Sequence, residues 1–284
     1  CWSFSTVSFL ESEMMRTGGP VVDLSDMFSV RHIYMDKAIR YVRYHGKANF
    51  SEGSLGHDVI RILRMHGMVP ESIYDGKPEG VDRYDHSELE KALKNYLDET
   101  LKQTPLPVDW QDGVNSILDQ FMGPIPTTFQ WEGKTYTPRT FADEVVQLNP
   151  DDYVSLTSFM HHPYYTTFVL EVPDNYSEQS FYNLPLDEFM LAATFALEHG
   201  YSLEWDGDVS DPGFNARAGL AIFPQQEWAS MEDKDRKRIF RTPTPQRNVT
   251  GEMRQTAFDR HLLTDDHLMH VVGLAEIPDN GRYF

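Results

Sequence analysis

Near residue 150 the spacing of the apolar residues changes, and that change restricts the fold more than any other feature of the chain. Before it, apolar side chains recur at intervals of three and four, which is the period of a helix face. Met27, Val30, Ile33, Tyr34, Ala38 and Tyr41 mark one side of a helix predicted over 27–45, with Ser25 or Asp26 as its cap. Arg31, His32, Arg40 and Arg43 read as its solvated face, with some pairing to acidic residues. A shorter helix is predicted over 57–66, stopped by Gly67 and Pro70. Three more follow between 84 and 148: one capped by Ser87, with Leu89, Leu93, Tyr96, Leu97 and Leu101 on its face, one over Val108–Phe121 and one over Pro138–Leu148. After 150, Tyr153–Phe159, Thr166–Val172, Tyr201–Trp205, Leu220–Phe223 and Met269–Glu276 are β-branched or aromatic runs of strand length. Helices near 185–199 and 229–239 interrupt them. Helices first and strands later give an α+β class.

Charge narrows the partners. There are 25 basic and 44 acidic residues, a net charge of −19, which argues against nucleic acid or an anionic membrane surface. No run reaches the length of a transmembrane helix. One cysteine allows no intrachain disulfide, and the Asn-x-Ser/Thr triplets at Asn49, Asn175 and Asn248 are expected by chance.

That cysteine is Cys1. Behind it, Trp2, Phe4, Val7, Phe9, Leu10 and Met14 fall roughly at helical spacing. A helix N-terminus carries partial positive charge and unpaired N–H groups, which favour a thiolate and can hold an oxyanion. A buried structural cysteine is the bland alternative. A cysteine nucleophile also needs a proton carrier, and histidine titrates near neutrality. His32, His45, His57, His66 and His86 read as solvated positions on helices or loop edges. His199, before Gly200, reads as a helix-end residue. His270 differs, because it begins an apolar run, Leu268-Met269-His270-Val271-Val272. It is either a buried, hydrogen-bonded histidine or one held at a cleft edge. Asp265, Asp266, His267 and His270, with His161 and His162, offer metal-ligand types, but no Cys-x-x-Cys or His-Glu-x-x-His pattern is present and no metal is expected.

Three segments carry a family resemblance. Cys1-Trp2-Ser3-Phe4-Ser5 resembles the active-site helix of papain-like cysteine peptidases, in which an aromatic residue follows the nucleophile. The loop Glu52-Gly53-Ser54, the helix after it and the exit His66-Gly67-Met68-Val69-Pro70 are similar to the bleomycin hydrolase and aminopeptidase C branch. Ser54 stands where that branch has a second glycine. The run around His270 resembles the family's histidine strand. The resemblance implies a two-lobe papain-like α+β fold: a helical lobe over 1–83, a helical insertion over 84–148 and a β-rich lobe over 149–284. It implies Cys1 and His270 as catalytic residues, with Gly53, Ser54 and Met269 beside the substrate.

The implied activity is hydrolysis of peptides, aminopeptidase-like, with no cofactor. Related enzymes are often hexamers, so homo-oligomerisation is an expectation. The family's oxyanion glutamine would precede residue 1, together with any targeting segment, leaving the compartment open between cytoplasm and periplasm or secretion. Its orienting asparagine would follow residue 284, since Asn280 sits in a predicted turn, Asp279-Asn280-Gly281, and does not match. Its C-terminal arm would also lie beyond. Residues 1–284 by themselves are therefore expected to be a poor catalyst. Two other classes compete: an amidohydrolase using Cys1 with its own α-amino group as base, and a papain-like binding protein without activity.

Overall fold

Trp2–Arg16 forms α1, and its Val7, Leu10 and Met14 are buried along one face, as the spacing requires. In this computed structural model the described residues are all but Glu79, Asp82, Pro243, 278–280 and Phe284. The predicted turn at Asp279-Asn280 lies outside them. The chain divides into two compact units, 1–154 with 170–179, and 155–169 with 180–284.

In the first unit α2 (Asp26–Arg43) is central and packs against α1, α3 (Gly56–His66), α4 (Ser87–Leu101) and α5 (Trp110–Met122). Ser25 is its cap, with the side-chain oxygen accepting from Phe28 N at 3.0 Å. The solvated face expected for Arg31 and His32 is a correction. Arg31 is 4% exposed and bonds Asp119 of α5 at 2.5 Å. His32 stacks on His66 at 3.9 Å, and burial pushes it down to about 3. His57, His66 and His86, also read as solvated, are likewise lowered by burial. The helices of 84–148 close over α2, and that packing dries residues which the local pattern leaves polar.

Ser87 is not the cap of α4. It is the first helical residue, and the Asp85 carboxylate accepts from both Ser87 N and Ser87 Oγ, at 3.0 and 2.6 Å. The third helix in this stretch is short: β1 (Phe129–Trp131), β2 (Lys134–Tyr136) and then α6 (Pro138–Phe141), which widens into a π turn over Ala142–Val146. The β1–β2 hairpin turns at Glu132 and Gly133, both with positive φ, as a two-residue hairpin turn requires. Its aromatic residues Phe129, Trp131 and Tyr136 pack mostly edge-on around fully buried Phe141.

The second unit holds small sheets rather than long strands. β3 (Leu156–Thr157), β4 (Thr167–Val169) and β5 (Ser180–Asn183) form one sheet in the order β3-β5-β4. The side chain of fully buried Asn183 bonds both Phe159 N and Phe159 O, pinning the loop after β3. The helix α7 (Leu186–Glu198) precedes β6 (Leu203–Gly207); then come a short hairpin of β7 (Phe214–Asn215) and β8 (Leu220–Ala221), α8 (Asp233–Arg238) and α9 (Gly251–Asp259). α9 carries no strong apolar stripe; Thr250 caps it through Met253 N at 3.3 Å. β9 (His267–Val271) pairs antiparallel with β6, and β10 (Ala275–Ile277) with β11 (Gly281–Tyr283). The predicted run Met269–Glu276 is thus two strands broken at Val272–Leu274, and Tyr153–Phe159 pairs only over β3. Mixed helices and small sheets agree with the α+β class. No described helix is long and apolar enough to cross a membrane.

Candidate active site

Cys1 occupies the N-cap position of α1, exposed, with its carbonyl accepting from Ser5 N at 3.0 Å. Its sulfur therefore belongs to a residue at the positive end of a fifteen-residue helix. Because Cys1 leads into a helix rather than a strand, the geometry speaks against the amidohydrolase alternative. The start of α1 is fixed on two sides. Ser3 Oγ donates to Asp26 O at 2.7 Å, and Trp2 Nε1 donates to Glu52 O at 2.9 Å. The second bond ties the residue next to Cys1 to the glycine-bearing loop, so the structure brings these two sequence-predicted features together.

The loop is held from beneath by Lys37. Its ammonium is buried and donates to Ser51 O at 2.8 Å and to Gly53 O, over the ring of Tyr176. Burial lowers its pKa to about 8, against the opposing pull of Asp174, Asp58, Glu90 and Glu52. A Cβ on Gly53 would lie 2.0 Å from the Asp174 carboxylate, so a larger residue there requires that side chain to move. Ser54 is fully buried, and its hydroxyl donates to Asp58 Oδ2 at 2.8 Å. Its side chain is committed inward, which leaves the backbone as the part able to meet a ligand. Lys37 was missed by pattern reading, although it falls on the apolar stripe between Tyr34 and Tyr41, where a charged residue signals a buried partner.

A carboxyl cluster flanks the same helix start. Burial and the mutual repulsion of Glu71, Glu11 and Asp23 raise Asp26 to about 7, and burial also raises Glu11 and Glu71. A carboxyl whose folded pKa lies above its unfolded value favours folding below the unfolded pKa and loses that contribution as pH rises through the folded one. The window here runs from about pH 4 to 7. Asp26→Asn is expected to stabilise the chain by about 1–2 kcal/mol at pH 8, once solvent screening of the half-buried carboxyl is allowed for, and by little at pH 4. Urea unfolding at both pH values checks this; equal effects at both would exclude the cluster as the cause.

His270 lies in the second unit, on β9 opposite Glu204 of β6. It is half-buried, and burial lowers its pKa, which favours the neutral imidazole. Met269 precedes it, opposite Trp205. His267 and His270 are three residues apart on one strand and so point to opposite faces, while Asp266 accepts from Ser210 N and Thr264 Oγ1. The strand therefore does not converge these groups on one ion. His161 and His162 stack on Phe258 and Phe168. His199 ends α7, its Nδ1 donating to Phe195 O at 2.7 Å, a helix-end role as its sequence setting implies.

No protein-family profile matches the chain, and no curated protein sequence does. Among solved structures the chain is similar to PepW from Lactobacillus rhamnosis HN001, with a TM-score of 0.71 and 18% identity, over 99% of this chain and 69% of that one. At that identity the likeness is one of fold alone.

Proposed function

We propose that this chain carries the catalytic groups of a papain-like, thiol-dependent peptidase of the bleomycin hydrolase and aminopeptidase C type. The observation that supports the reading is the bond from Trp2 to Glu52, which ties the glycine-bearing loop to the residue next to a cysteine at a helix N-terminus. In this reading the Cys1 thiolate attacks a peptide carbonyl carbon. The N–H groups opening α1 hold the oxyanion as the tetrahedral intermediate forms. His270, protonated by the thiol, delivers that proton to the leaving amine. The product is a Cys1 thioester, and water activated by His270 hydrolyses it to free acid and thiol. Gly53 and Ser54 offer backbone groups to the substrate, and Met269 flanks it. The substrates are peptides, taken from the amino end, and the protein self-associates.

The test is the rate of Cys1 alkylation by iodoacetamide against pH, in the protein and in its His270→Ala variant. The sulfur is expected to titrate well below the ~8.5 of a free thiol, and the variant to lose that low-pH limb. Identical titration near the free-thiol value in both proteins would remove His270 as the partner. Since burial opposes the imidazolium, the pair exists only if the thiolate compensates for it, so the two titrations must move together.

A further inference from the structure

The second unit contains a cavity of ≈ 780 Å³. Four cationic side chains line it: Arg217, Arg236, Lys237 and Arg241. One lining carboxylate, Asp233, lies 3.8 Å from Arg236. Arg236 is also fixed by its Nε, which donates to Trp228 O at 3.1 Å. Arg217, Lys237 and Arg241 have no ion-pair partner among the described residues. On a chain of net charge −19, where acids are plentiful, such a grouping is against the composition and carries mutual repulsion. An anion entering the cavity removes that repulsion.

The lining is also aromatic. Trp228 and Phe240 stack with ring centroids 6.2 Å apart and planes 25° from parallel. The Trp228 indole N–H is buried and has no hydrogen-bond partner among the described residues, so it is the ring rather than its N–H that the cavity offers a ligand. The volume is that of a small-molecule site. Guanidinium groups match phosphate or carboxylate oxygens in pairs, and aromatic walls accept a flat ring. A long polyanion such as nucleic acid would meet the net negative charge outside the cavity.

We propose that this cavity binds a small, multiply charged organic anion bearing a flat ring. Its charged groups are held by Arg217, Lys237 and Arg241, and its ring by Trp228 and Phe240. The inference stands apart from the chemistry at Cys1.

Isothermal titration calorimetry on the intact chain tests it, with metal-free ATP, inorganic tripolyphosphate and adenosine as probes. ATP is expected to saturate one site. Tripolyphosphate should bind at least about tenfold more weakly, since it lacks the ring, and adenosine should give no saturable heat. Arg217→Glu/Arg241→Glu should lower ATP affinity about 100-fold, and Trp228→Leu should weaken ATP without affecting tripolyphosphate. The milder Arg217→Gln/Lys237→Gln variant, whose fold is checked by its urea midpoint, carries the charge test if the reversal variant unfolds. Three results would overturn the proposal: no saturation by ATP at millimolar concentration, unchanged affinity in folded charge variants, or equal affinity for tripolyphosphate and ATP.

Discussion

Lys37→Met is expected to lower the stability of the chain by about 3–5 kcal/mol, the range seen when one member of a buried charged network is removed. Methionine matches the length of lysine and keeps the packing against Tyr176. What disappears is the donor to Ser51 O and Gly53 O, and the only described ammonium beneath the loop. The two part-buried carbonyls then lose this donor, and the charges of Asp58 and Asp174 lose a counter-charge. The comparison is Lys94→Met. Lys94 bonds Asp98 at 2.6 Å, but both groups are about 40% exposed, so its loss should cost less than about 1 kcal/mol. Urea midpoints separate the two variants. The pH dependence adds a second readout. Lys37 has a folded pKa of about 8, below the ~10.4 of a free lysine, so the unfolded chain binds more protons between those values. Stability from this group therefore rises with pH across that window, and the rise is absent in Lys37→Met. A variant as stable as the parent, with the same slope, would show that the loop keeps its shape without the ammonium. In the peptidase reading the same variant also loses hydrolysis, because Gly53 and Ser54 are no longer held beside Trp2.

The helices were legible because each records its own burial. Ser25, the stripe from Met27 to Tyr41 and the stop at Gly67 all act within a turn or two of chain, and the structure has α2 and α3 nearly where they predict. The strands were less legible. β5 carries Ser-Phe-Tyr-Asn, half of it polar, and is held by two neighbours that are close only in space. The long apolar runs after 150 overstate pairing for the same reason: Val154 and Val272 are β-branched yet exposed. At the site, Cys1 could be singled out by its chemistry, and Gly53 by the resemblance its loop carries. Lys37 and Asp26 could not be assigned, because a lysine or aspartate is ordinary until a fold buries it. The Trp2–Glu52 bond spans fifty residues and leaves no local pattern.

Gly67→Ala should cost at least about 4 kcal/mol, since it combines backbone strain with a collision against main chain. Gly67 closes α3 at φ 88 and ψ −150, a region that side chains rarely enter. Strain alone does not set the cost. Gly123 closes α5 at φ 75 and ψ 163, in the same broad region of positive φ and extended ψ, and a Cβ there meets nothing within 4 Å. Gly123→Ala therefore reports the conformational penalty by itself, about 1–2 kcal/mol. At Gly67 a Cβ would lie 2.2 Å from Pro138 O and 2.4 Å from Pro138 C. That approach is not incidental. Met68 N donates to Pro138 O at 3.1 Å, and Arg139 Nη1 donates to Arg64 O at 2.8 Å, in the last turn of α3, and to Leu63 O at 2.9 Å, which also accepts from Gly67 N at 3.2 Å. Val69 O then accepts from Ser25 N at 2.9 Å, at the cap of α2. The exit His66-Gly67-Met68-Val69-Pro70 thus joins α3, α6 and α2 at one point, and glycine is required because two backbones meet there. Urea unfolding of the two alanine variants measures the difference. If Gly67→Ala loses no more than Gly123→Ala, α6 moves aside freely, and the joint does not hold the loop helix in place.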